Sequence, residues 1–249
     1  MKKIVNFFKK RKDIFLTKRY KNLRNDLQYN INLLKKLRFD IEKIKYNLKK
    51  NQLNFNDEKL SWHYHIFSNF FNTKRNNILE IGTFKGEFTN YLSSNFPNST
   101  IYTIDLPINN IFFRSTYRRD SDINLKEYLS IRKKNLNKKN IKFIEQSSFN
   151  LLKIFKNVKF DLIWIDGDHL MPQISFDIFQ SIYLIKKNGY MFTDDIIQEE
   201  INHPYGSTDS FNILENLSQK KIIKSDYLLK RIYHKNAVQK KFISISSFF

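Results

Sequence analysis

The sequence predicts an α/β fold, a doubly wound and mostly parallel sheet of seven strands, preceded by an N-terminal helical arm. From about residue 77 onward, short runs rich in β-branched and aromatic residues alternate with helical patterns. These runs are apolar almost throughout, as is typical of parallel strands that helices cover on both faces. Before residue 52, apolar residues instead repeat at heptad spacing. We therefore divide the 249-residue chain into an arm, residues 1–52, and a domain, residues 57–249.

The arm carries one apolar seam that neither proline nor glycine interrupts. The seam contains a single polar residue, Asn30, which can specify the register of paired helices. We interpret the seam as one long helix that self-associates in a short coiled coil, so a homo-oligomer is expected; packing of the helix back onto its own domain is the alternative. Its members, spaced alternately four and three residues apart, are Leu16, Tyr20, Leu23, Leu27, Asn30, Leu34, Leu37, Ile41, Ile44 and Leu48.

Most of the net charge of +20 lies in the arm, where residues 1–50 hold 17 basic against 4 acidic side chains. A basic aromatic tip suits peripheral contact with membrane lipid or nucleic acid, although charge runs are more often simply solvated. It consists of Phe7, Phe8 and Phe15 amid Lys9, Lys10, Arg11 and Lys12. No apolar run approaches the ~18 residues of a transmembrane span, and none resembles a signal peptide. The chain has no cysteine, so we expect a cytoplasmic protein.

The domain reads as alternating strands and helices, which predicts a doubly wound sheet. The predicted strands are Ile78–Ile81, Ser99–Ile104, Ile141–Ile144, Phe160–Ile165 and Tyr190–Thr193, followed by two late strands at Tyr227–Ile232 and Phe242–Ser246. The predicted helices are Glu58–Phe71, Glu87–Ser94, Leu125–Leu136, Phe149–Phe155, Ile174–Leu184 and Ser210–Leu217. Residues 106–140 are longer than a crossover needs, and we interpret them as an insertion over the ligand-binding edge, either a lid or solvated surface.

The first strand ends in a glycine turn, Ile78–Gly86, that suits a bound nucleotide. Two of the five glycines of the chain, Gly82 and Gly86, lie here, just after Glu80. Glycine permits a positive φ and a close approach of ligand to backbone. A strand that breaks into such a turn before a helix is typical of nucleotide-binding sheets. One Gly-x-x-x-Gly is also compatible with an ordinary strand–turn–helix.

Polar residues recur at the carboxyl ends of the predicted strands, where open α/β sheets bind ligands. Asp105 follows the glycine turn by about twenty residues, the place of an acid that binds ribose hydroxyls. Asp166 ends the fourth strand, and because neighbouring strands lie ~4.8 Å apart, it can converge with Asp194 and Asp195 at the fifth. Oxygen ligands without cysteine favour Mg²⁺, Mn²⁺ or Ca²⁺. Alternatively, some of these aspartates only cap helices.

These motifs resemble class I S-adenosylmethionine-dependent methyltransferases, which have a Rossmann-like fold. The resemblance spans roughly residues 75–196 and is nearest to the metal-dependent O-methyltransferases, the branch that includes the catechol and macrolide-sugar enzymes. It is carried by Glu-x-Gly-x-Phe-x-Gly at residues 80–86, Asp105, Ser148, the run Ile165–His169 and the Thr-Asp-Asp that ends at Asp195. It implies S-adenosylmethionine as cofactor and a divalent cation, with Mg²⁺ preferred.

The resemblance also implies a role for each matching residue. Glu80, Gly82, Thr83, Phe84 and Gly86 would line the cofactor site, Asp105 would bind the ribose hydroxyls, and Ser148 would lie beside the adenine. Asp166, Asp194 and Asp195 occupy the metal-ligand positions, and His169 occupies that of the general base.

The resulting hypothesis is metal-assisted O-methylation of a small molecule or sugar, with a vicinal diol favoured. Two alternatives remain: a nucleic-acid methyltransferase, and a non-catalytic scaffold that the arm assembles around a vestigial cofactor pocket.

Overall fold

The computed structural model describes residues 23–57, 60–116, 119, 121–199, 208–234 and 238–248. Side chains are described for these residues except 23–26, 231–234 and 238–239. The chain forms two compact units. One contains the described residues up to Asn69 together with Leu228–Phe242, and the other contains Phe70–Tyr227 and the residues from Ile243 onward. The basic tip around Phe7 and Phe8 and the first seam positions lie outside the described residues.

The predicted seven-stranded, mostly parallel sheet is confirmed. Its strand order is β3-β2-β1-β4-β5-β7-β6, and β1 to β5 pair in parallel. Every predicted strand is present, although the last three are longer than their apolar runs indicated. The strands are β1 Asn77–Ile81, β2 Thr100–Asp105, β3 Ile141–Glu145, β4 Phe160–Ile165, β5 Ile185–Ile196, β6 Ile223–His234 and β7 Val238–Phe248.

The order of the strands reverses between β1 and β4, which lie side by side although a large part of the chain separates them. From β1 the chain builds the sheet toward β2 and β3, and from β4 it builds toward β5. Every residue of β4 is buried, as is typical of a central strand covered on both faces. The ends of β1 and β4 therefore flank the crevice in which open sheets of this kind bind ligands.

Nine α-helices and one short 3-10 turn are present in the part of the chain that the structure describes. None of the described helices has the length and apolar character needed to cross a membrane. The helices are α1 Leu23–Lys36, α2 Ile41–Lys50, α3 Trp62–Ser68, α4 Glu87–Asn95, α5 Ile111–Ser115, α6 Asp122–Asn135, α7 Leu151–Ile154, α8 Gln173–Leu184 and α9 Asp209–Gln219.

The described part of the arm is two helices, so the prediction of one uninterrupted helix is wrong. The backbone turns between α1 and α2, where Arg38 has φ 61 and the side chain of Asp40 caps α2 by accepting from the N–H of Lys43 at 3.0 Å. An aspartate at this position satisfies a helix N-terminus that the heptad spacing does not reveal. The seam residues Leu34, Ile44 and Leu48 are fully buried in the single chain.

The polar seam residue Asn30 is bound to the backbone of β6. Its amide nitrogen donates to the carbonyl of Leu229 at 2.8 Å, and its amide oxygen accepts from the N–H of Leu229 at 2.9 Å. Asn30 is buried, and this double contact gives it a role inside its own chain. The contact supports the alternative in which the seam packs on the chain itself, while self-association through the arm stays a prediction.

The insertion has a small core of its own, built around Phe113, Leu125 and Tyr128. The guanidinium of Arg119 lies 3.9 Å from the ring centre of Phe113, and Arg119 also donates to the hydroxyl of Tyr128 at 3.2 Å. Stacking of an arginine on aromatic rings is a favourable way to keep its charge beside an apolar cluster. The insertion is therefore folded structure, and its function as a lid stays a prediction.

Candidate functional site

The turn after β1 is pressed against the end of β4. Gly82 has φ 97, a backbone conformation that side chains rarely adopt. A Cβ at this position would overlap the carbonyl oxygen of Asp166 and lie 2.6 Å from its carbonyl carbon. The N–H of Gly82 donates to Ile104 at 2.9 Å, and the N–H of Asp166 donates to Ile81 at 2.8 Å. Gly82 therefore lets the chain cross the switch point with two backbones in direct contact.

Gly86 ends the turn and begins α4. Its φ of 75 is again positive, and its N–H donates to the carbonyl of Thr83 at 2.8 Å. A Cβ there would lie 2.9 Å from a side-chain carbon of Leu136, at the end of the insertion. The insertion also holds the turn directly, since the side-chain amide of Asn135 donates to the carbonyl of Lys85 at 2.8 Å.

Glu80 is a buried acid held by hydroxyl groups from two neighbouring elements. Thr103, its partner in register on β2, donates to Oε2 at 2.6 Å, and Thr89 on α4 donates to the same oxygen. Because the hydroxyl proton of Thr103 goes to Glu80, Thr83 donates in turn to Thr103 at 2.6 Å. This chain of hydroxyls fixes the Thr83 side of the glycine turn relative to β1 and β2.

Burial raises the pKa of Glu80 to about 8. The two threonine hydroxyls oppose this rise, whereas the charges of Asp166 and Asp105 increase it. Within the described part of the chain, its carboxyl group is bound only by those hydroxyls. An ionised carboxylate in such surroundings is costly unless a cation compensates it. A cationic ligand group in the adjoining crevice would therefore be favoured electrostatically.

Asp105, at the end of β2, is held by backbone and by one buried arginine. Its carboxylate accepts from the N–H of Leu106 at 2.8 Å and from the N–H of Phe84 at 3.2 Å, and Arg132 on α6 lies 3.5 Å away. Burial raises the pKa of Asp105, while the Leu106 hydrogen bond and the charges of Arg132 and Arg119 oppose that rise. The acid is thus fixed in direction and partly neutralised, yet its oxygens retain capacity to accept further hydrogen bonds.

Phe84 joins the glycine turn to the insertion. Its φ of 48 is unusual for an aromatic residue, and its side chain is 40% exposed. The ring meets Tyr128 of the insertion edge to face at 5.6 Å. A turn that holds a strained aromatic residue between Asp105 and the insertion is typical of functional sites, because such strain persists only where the surroundings impose it.

Ser148 lies against the start of α8. Its hydroxyl accepts from the side-chain amide of Gln173 at 2.5 Å, and the same amide donates to Asp177 at 2.9 Å. Asp177 is fully buried, and burial raises its pKa to about 6, against the opposing hydrogen bonds of Ser148 and Gln173. Gln173 and Asp177 therefore set the orientation of the residue expected beside the adenine.

His169 and Asp166 form a pair beside the glycine turn. Nε2 of His169 lies 3.6 Å from Oδ1 of Asp166, and Nδ1 is buried with no hydrogen-bond partner among the residues that the structure describes. Burial by itself would lower the pKa of His169, but the adjacent Asp166 carboxylate, helped by the charges of Asp195 and Asp194, outweighs burial and raises that pKa. The imidazole is consequently a stronger base than free histidine.

Asp194 and Asp195 lie inside β5, whereas the sequence placed them just after it. Asp194 is buried and Asp195 has φ 50. Across the described residues, no group of three or more His, Asp or Glu side chains is arranged to hold a metal ion. The described geometry of Asp166, Asp194 and Asp195 does not fit a metal centre, so the predicted cation stays a prediction from the sequence.

Several contributing residues were not found by sequence reasoning. Thr89, Thr103, Arg132, Gln173 and Asp177 lie on helices or strand interiors rather than at strand ends. The alternation of β2 places Thr103 beside Glu80 once the register is known, but the register itself depends on the folded sheet. The sequence carries no local signal for the others.

A switch-point crevice with a strained glycine turn and a buried acid on its first strand defines the class of α/β proteins that bind a nucleotide-like cofactor. Within that class, residues 79–196 match the profile of a methyltransferase domain family, Methyltransf_24. A search of curated proteins finds no match.

Several solved structures are similar to this chain. A Staphylococcus aureus protein described as a candidate caffeoyl-CoA O-methyltransferase is 16% identical, covers 90% of this chain and 99% of its own, and has a TM-score of 0.50. A cofactor-bound protein from MTB, Rv0187, is 14% identical over 70% of this chain and 73% of its own, with a TM-score of 0.48. An rRNA methylase from Streptococcus thermophilus is 11% identical, covers 70% of this chain and 87% of its own, and has a TM-score of 0.43.

At these identities the first structure shows a shared fold and not a shared substrate. Residues 79–196 match a methyltransferase domain family, and this match supports an S-adenosylmethionine-dependent methyltransferase.

Proposed function

We propose that this enzyme transfers a methyl group to a hydroxyl oxygen of a small molecule or sugar, with His169 as the general base. The observation that carries the proposal is the His169–Asp166 pair, 3.6 Å apart beside the glycine turn. In O-methylation a hydroxyl must lose its proton as its oxygen attacks, and a positioned histidine is the commonest group for that task.

The residues around the crevice fit S-adenosylmethionine. Gly82 and Gly86 would let it approach the backbone, and Asp105 would accept from its ribose hydroxyls. The cationic groups of the cofactor would favour the ionised form of Glu80, whose pKa burial raises to about 8. Ser148, oriented by Gln173, would lie beside the adenine. When bound, the cofactor supplies an electrophilic methyl group on sulfur.

His169 would accept the hydroxyl proton at Nε2, because Nδ1 is buried. The negative charge of Asp166 beside Nε2 would stabilise the imidazolium that forms. The hydroxyl oxygen would gain the methyl group that the cofactor supplies, the sulfur would keep the electron pair of the bond that breaks, and His169 would hold the proton until solvent removes it. The proposed step assigns no role to a cation, and metal dependence is tested by assaying with Mg²⁺ and with a chelator.

The first experiment is a calorimetric titration of the intact chain with S-adenosylmethionine. A screen for transfer of a labelled methyl group follows, with vicinal-diol sugars and catechols as acceptors. His169→Ala should reduce turnover at least about a hundredfold, the lower range for general-base catalysis, with the dissociation constant of the cofactor nearly unchanged. Asp168→Ala is the matched control, since this neighbour is exposed and, within the described residues, its side chain accepts from the N–H of Leu170 at 3.0 Å.

Loss of cofactor binding and turnover together in His169→Ala would contradict its role as a base. If the wild-type chain fails to bind S-adenosylmethionine at all, the alternative of a scaffold with a vestigial pocket is favoured instead.

A nucleic-acid acceptor is the second candidate, favoured by the net charge of +20. Its signature is methyl transfer to RNA together with RNA binding that weakens steeply as salt rises. Transfer to a small hydroxyl compound with no transfer to RNA would exclude it.

A further inference from the structure

One face of the methyltransferase domain exposes aromatic side chains at helical spacing. On α8, Phe176, Phe179 and Tyr183 are 46%, 54% and 63% exposed. Their spacing of three and four residues places them in one stripe along the helix. A surface helix normally turns its apolar stripe inward, and the inward side of α8 is already apolar, with Ile174 and Ile178 buried. The exposed stripe is therefore additional to what folding requires.

The stripe continues onto the preceding segment. The ring of Phe149 meets that of Phe176 edge to face at 4.7 Å, and the N–H of Leu152 donates to the side chain of Gln180 on α8 at 3.1 Å. Phe149 and Leu152 are both at least 40% exposed. We call this surface the α8 face and define it by Phe149, Leu152, Phe176, Phe179 and Tyr183.

The exposed charges on the two segments that carry the α8 face have one sign. Lys153, Lys156 and Lys159 are exposed on the segment that carries Phe149 and Leu152. The ammonium of Lys159 lies 4.1 Å from the ring centre of Tyr183, which joins the charged rim to the stripe. Residues 149–159 and 170–188 contain no arginine, and their one acid, Asp177, is buried.

From this pattern we propose that the α8 face docks on an anionic membrane surface, with the aromatic rings in the interfacial layer and the lysines on the headgroups. Aromatic rings and long lysine side chains both favour the boundary between headgroups and acyl chains. Each lysine near an anionic surface adds about 1 kcal/mol, or about a fivefold gain in partitioning.

Charge complementarity favours lipid over two other occupants. In a symmetric dimer the same patch would meet itself, which would bring the lysines of two copies together. Single-stranded nucleic acid binds through stacking rings and often through arginine, whereas this face has no arginine and includes the aliphatic Leu152, which cannot stack.

The test is co-sedimentation of the full chain with vesicles of phosphatidylcholine, with or without about 30% phosphatidylglycerol, at low and high salt. We expect binding to the anionic vesicles that weakens with salt. The variant Phe176→Ser/Phe179→Ser/Tyr183→Ser should lose about tenfold or more in partitioning, because burial of even one such ring is worth about that factor. Lys153→Gln/Lys156→Gln should lose affinity for the anionic vesicles only.

The matched control is Tyr29→Ser/Tyr46→Ser, which removes two exposed aromatic rings, 52% and 67% exposed, from the other compact unit. It should partition as the wild type does. Thermal unfolding of each variant checks that the fold is kept.

Equal vesicle binding by wild type and triple variant would overturn the proposal, since the basic arm would then account for the attraction. The proposal would also be overturned by a wild-type dimer that the triple substitution dissociates. A wild type that binds single-stranded RNA and not vesicles, with RNA binding lost in the triple variant, would overturn it too. Because the readout is partitioning and not methyl transfer, its failure would leave the proposed reaction untouched.

Discussion

Replacing Gly82 with alanine tests the switch-point crevice most directly. The new Cβ would overlap the carbonyl of Asp166 and lie 2.9 Å from the backbone nitrogen of Gly167. Both contacts are with backbone, so no side chain can rotate away to relieve them. The turn after β1 and the end of β4 would have to separate, although the register between the two strands is fixed along Ile78–Ile81.

The expected cost has two parts. An alanine at φ 97 carries backbone strain of about 1–3 kcal/mol. Overpacking adds about 1–3 kcal/mol more. For a chain of this size, each kcal/mol lowers Tm by about 2–4 °C, so the loss should be at least roughly 4 °C. Displacement of the turn should also weaken S-adenosylmethionine binding by about tenfold or more, since ~1.4 kcal/mol equals one factor of ten.

Thermal unfolding and calorimetric titration measure both effects, with Gly167→Ala as the matched control. Gly167 lies at the same crevice, but a Cβ there would be 3.4 Å from its nearest neighbour, Oδ2 of Asp177, which is ordinary contact. The control should keep its Tm within roughly 2 °C of the wild type. If Gly82→Ala unfolds at the control temperature and binds the cofactor as the wild type does, the close approach of β1 and β4 is not what shapes the site.

Two further predictions concern stability. Asp161 accepts from the N–H groups of Asn76 and Asn77 and from Lys186 at 2.8, 3.1 and 2.9 Å, so Asp161→Asn should cost about 2–3 kcal/mol in urea unfolding at neutral pH. Burial would raise the pKa of Asp161, but Lys186 and the two N–H groups outweigh burial and lower it. The contribution of Asp161 to stability is therefore complete above its ordinary pKa near 3.8 and is lost as the pH falls through the lower pKa of the folded state. A stability difference between wild type and variant that persists in stronger acid would refute the assignment. Asn30→Leu should destabilise the chain by about 2–3 kcal/mol, because the N–H and C=O of Leu229 lose their partners. The oligomeric state of this variant in analytical ultracentrifugation should be that of the wild type. A variant that is more stable and more strongly associated would instead support the coiled coil.

The fold could be predicted because its signals are local. The seven apolar runs each became a strand, and the turn at Gly82 and Gly86 followed from two glycines in a glycine-poor chain. The ends of the last three strands were missed, since a strand that continues past its apolar run is stabilised by pairing with its neighbours and not by its own composition. The long helix of the arm was predicted wrongly because a heptad spacing continues unchanged through the break at Leu37–Asp40.

The residues of the candidate site likewise divide into those with a local sequence signal and those without one. Residues at strand ends, such as Glu80, Asp105 and Asp166, were found because parallel strands bring their carboxyl ends to one edge. Arg132 was not found, since it acts on Asp105 across a long stretch of chain, and Asp177 was not found, since it belongs to no local motif.

The sequence by itself determined the order of strands and helices, the glycine turn and the candidate cofactor acids, because backbone conformation and hydrophobic periodicity are properties of short segments. Only the tertiary structure decided which groups compensate one another: Thr103 with Glu80, Arg132 with Asp105, Gln173 with Ser148 and Asn30 with the backbone of Leu229. Such partners are chosen by distance in the folded chain, where burial makes an unpaired polar group costly. That cost is set by the surroundings of the group and cannot be read from its position along the chain.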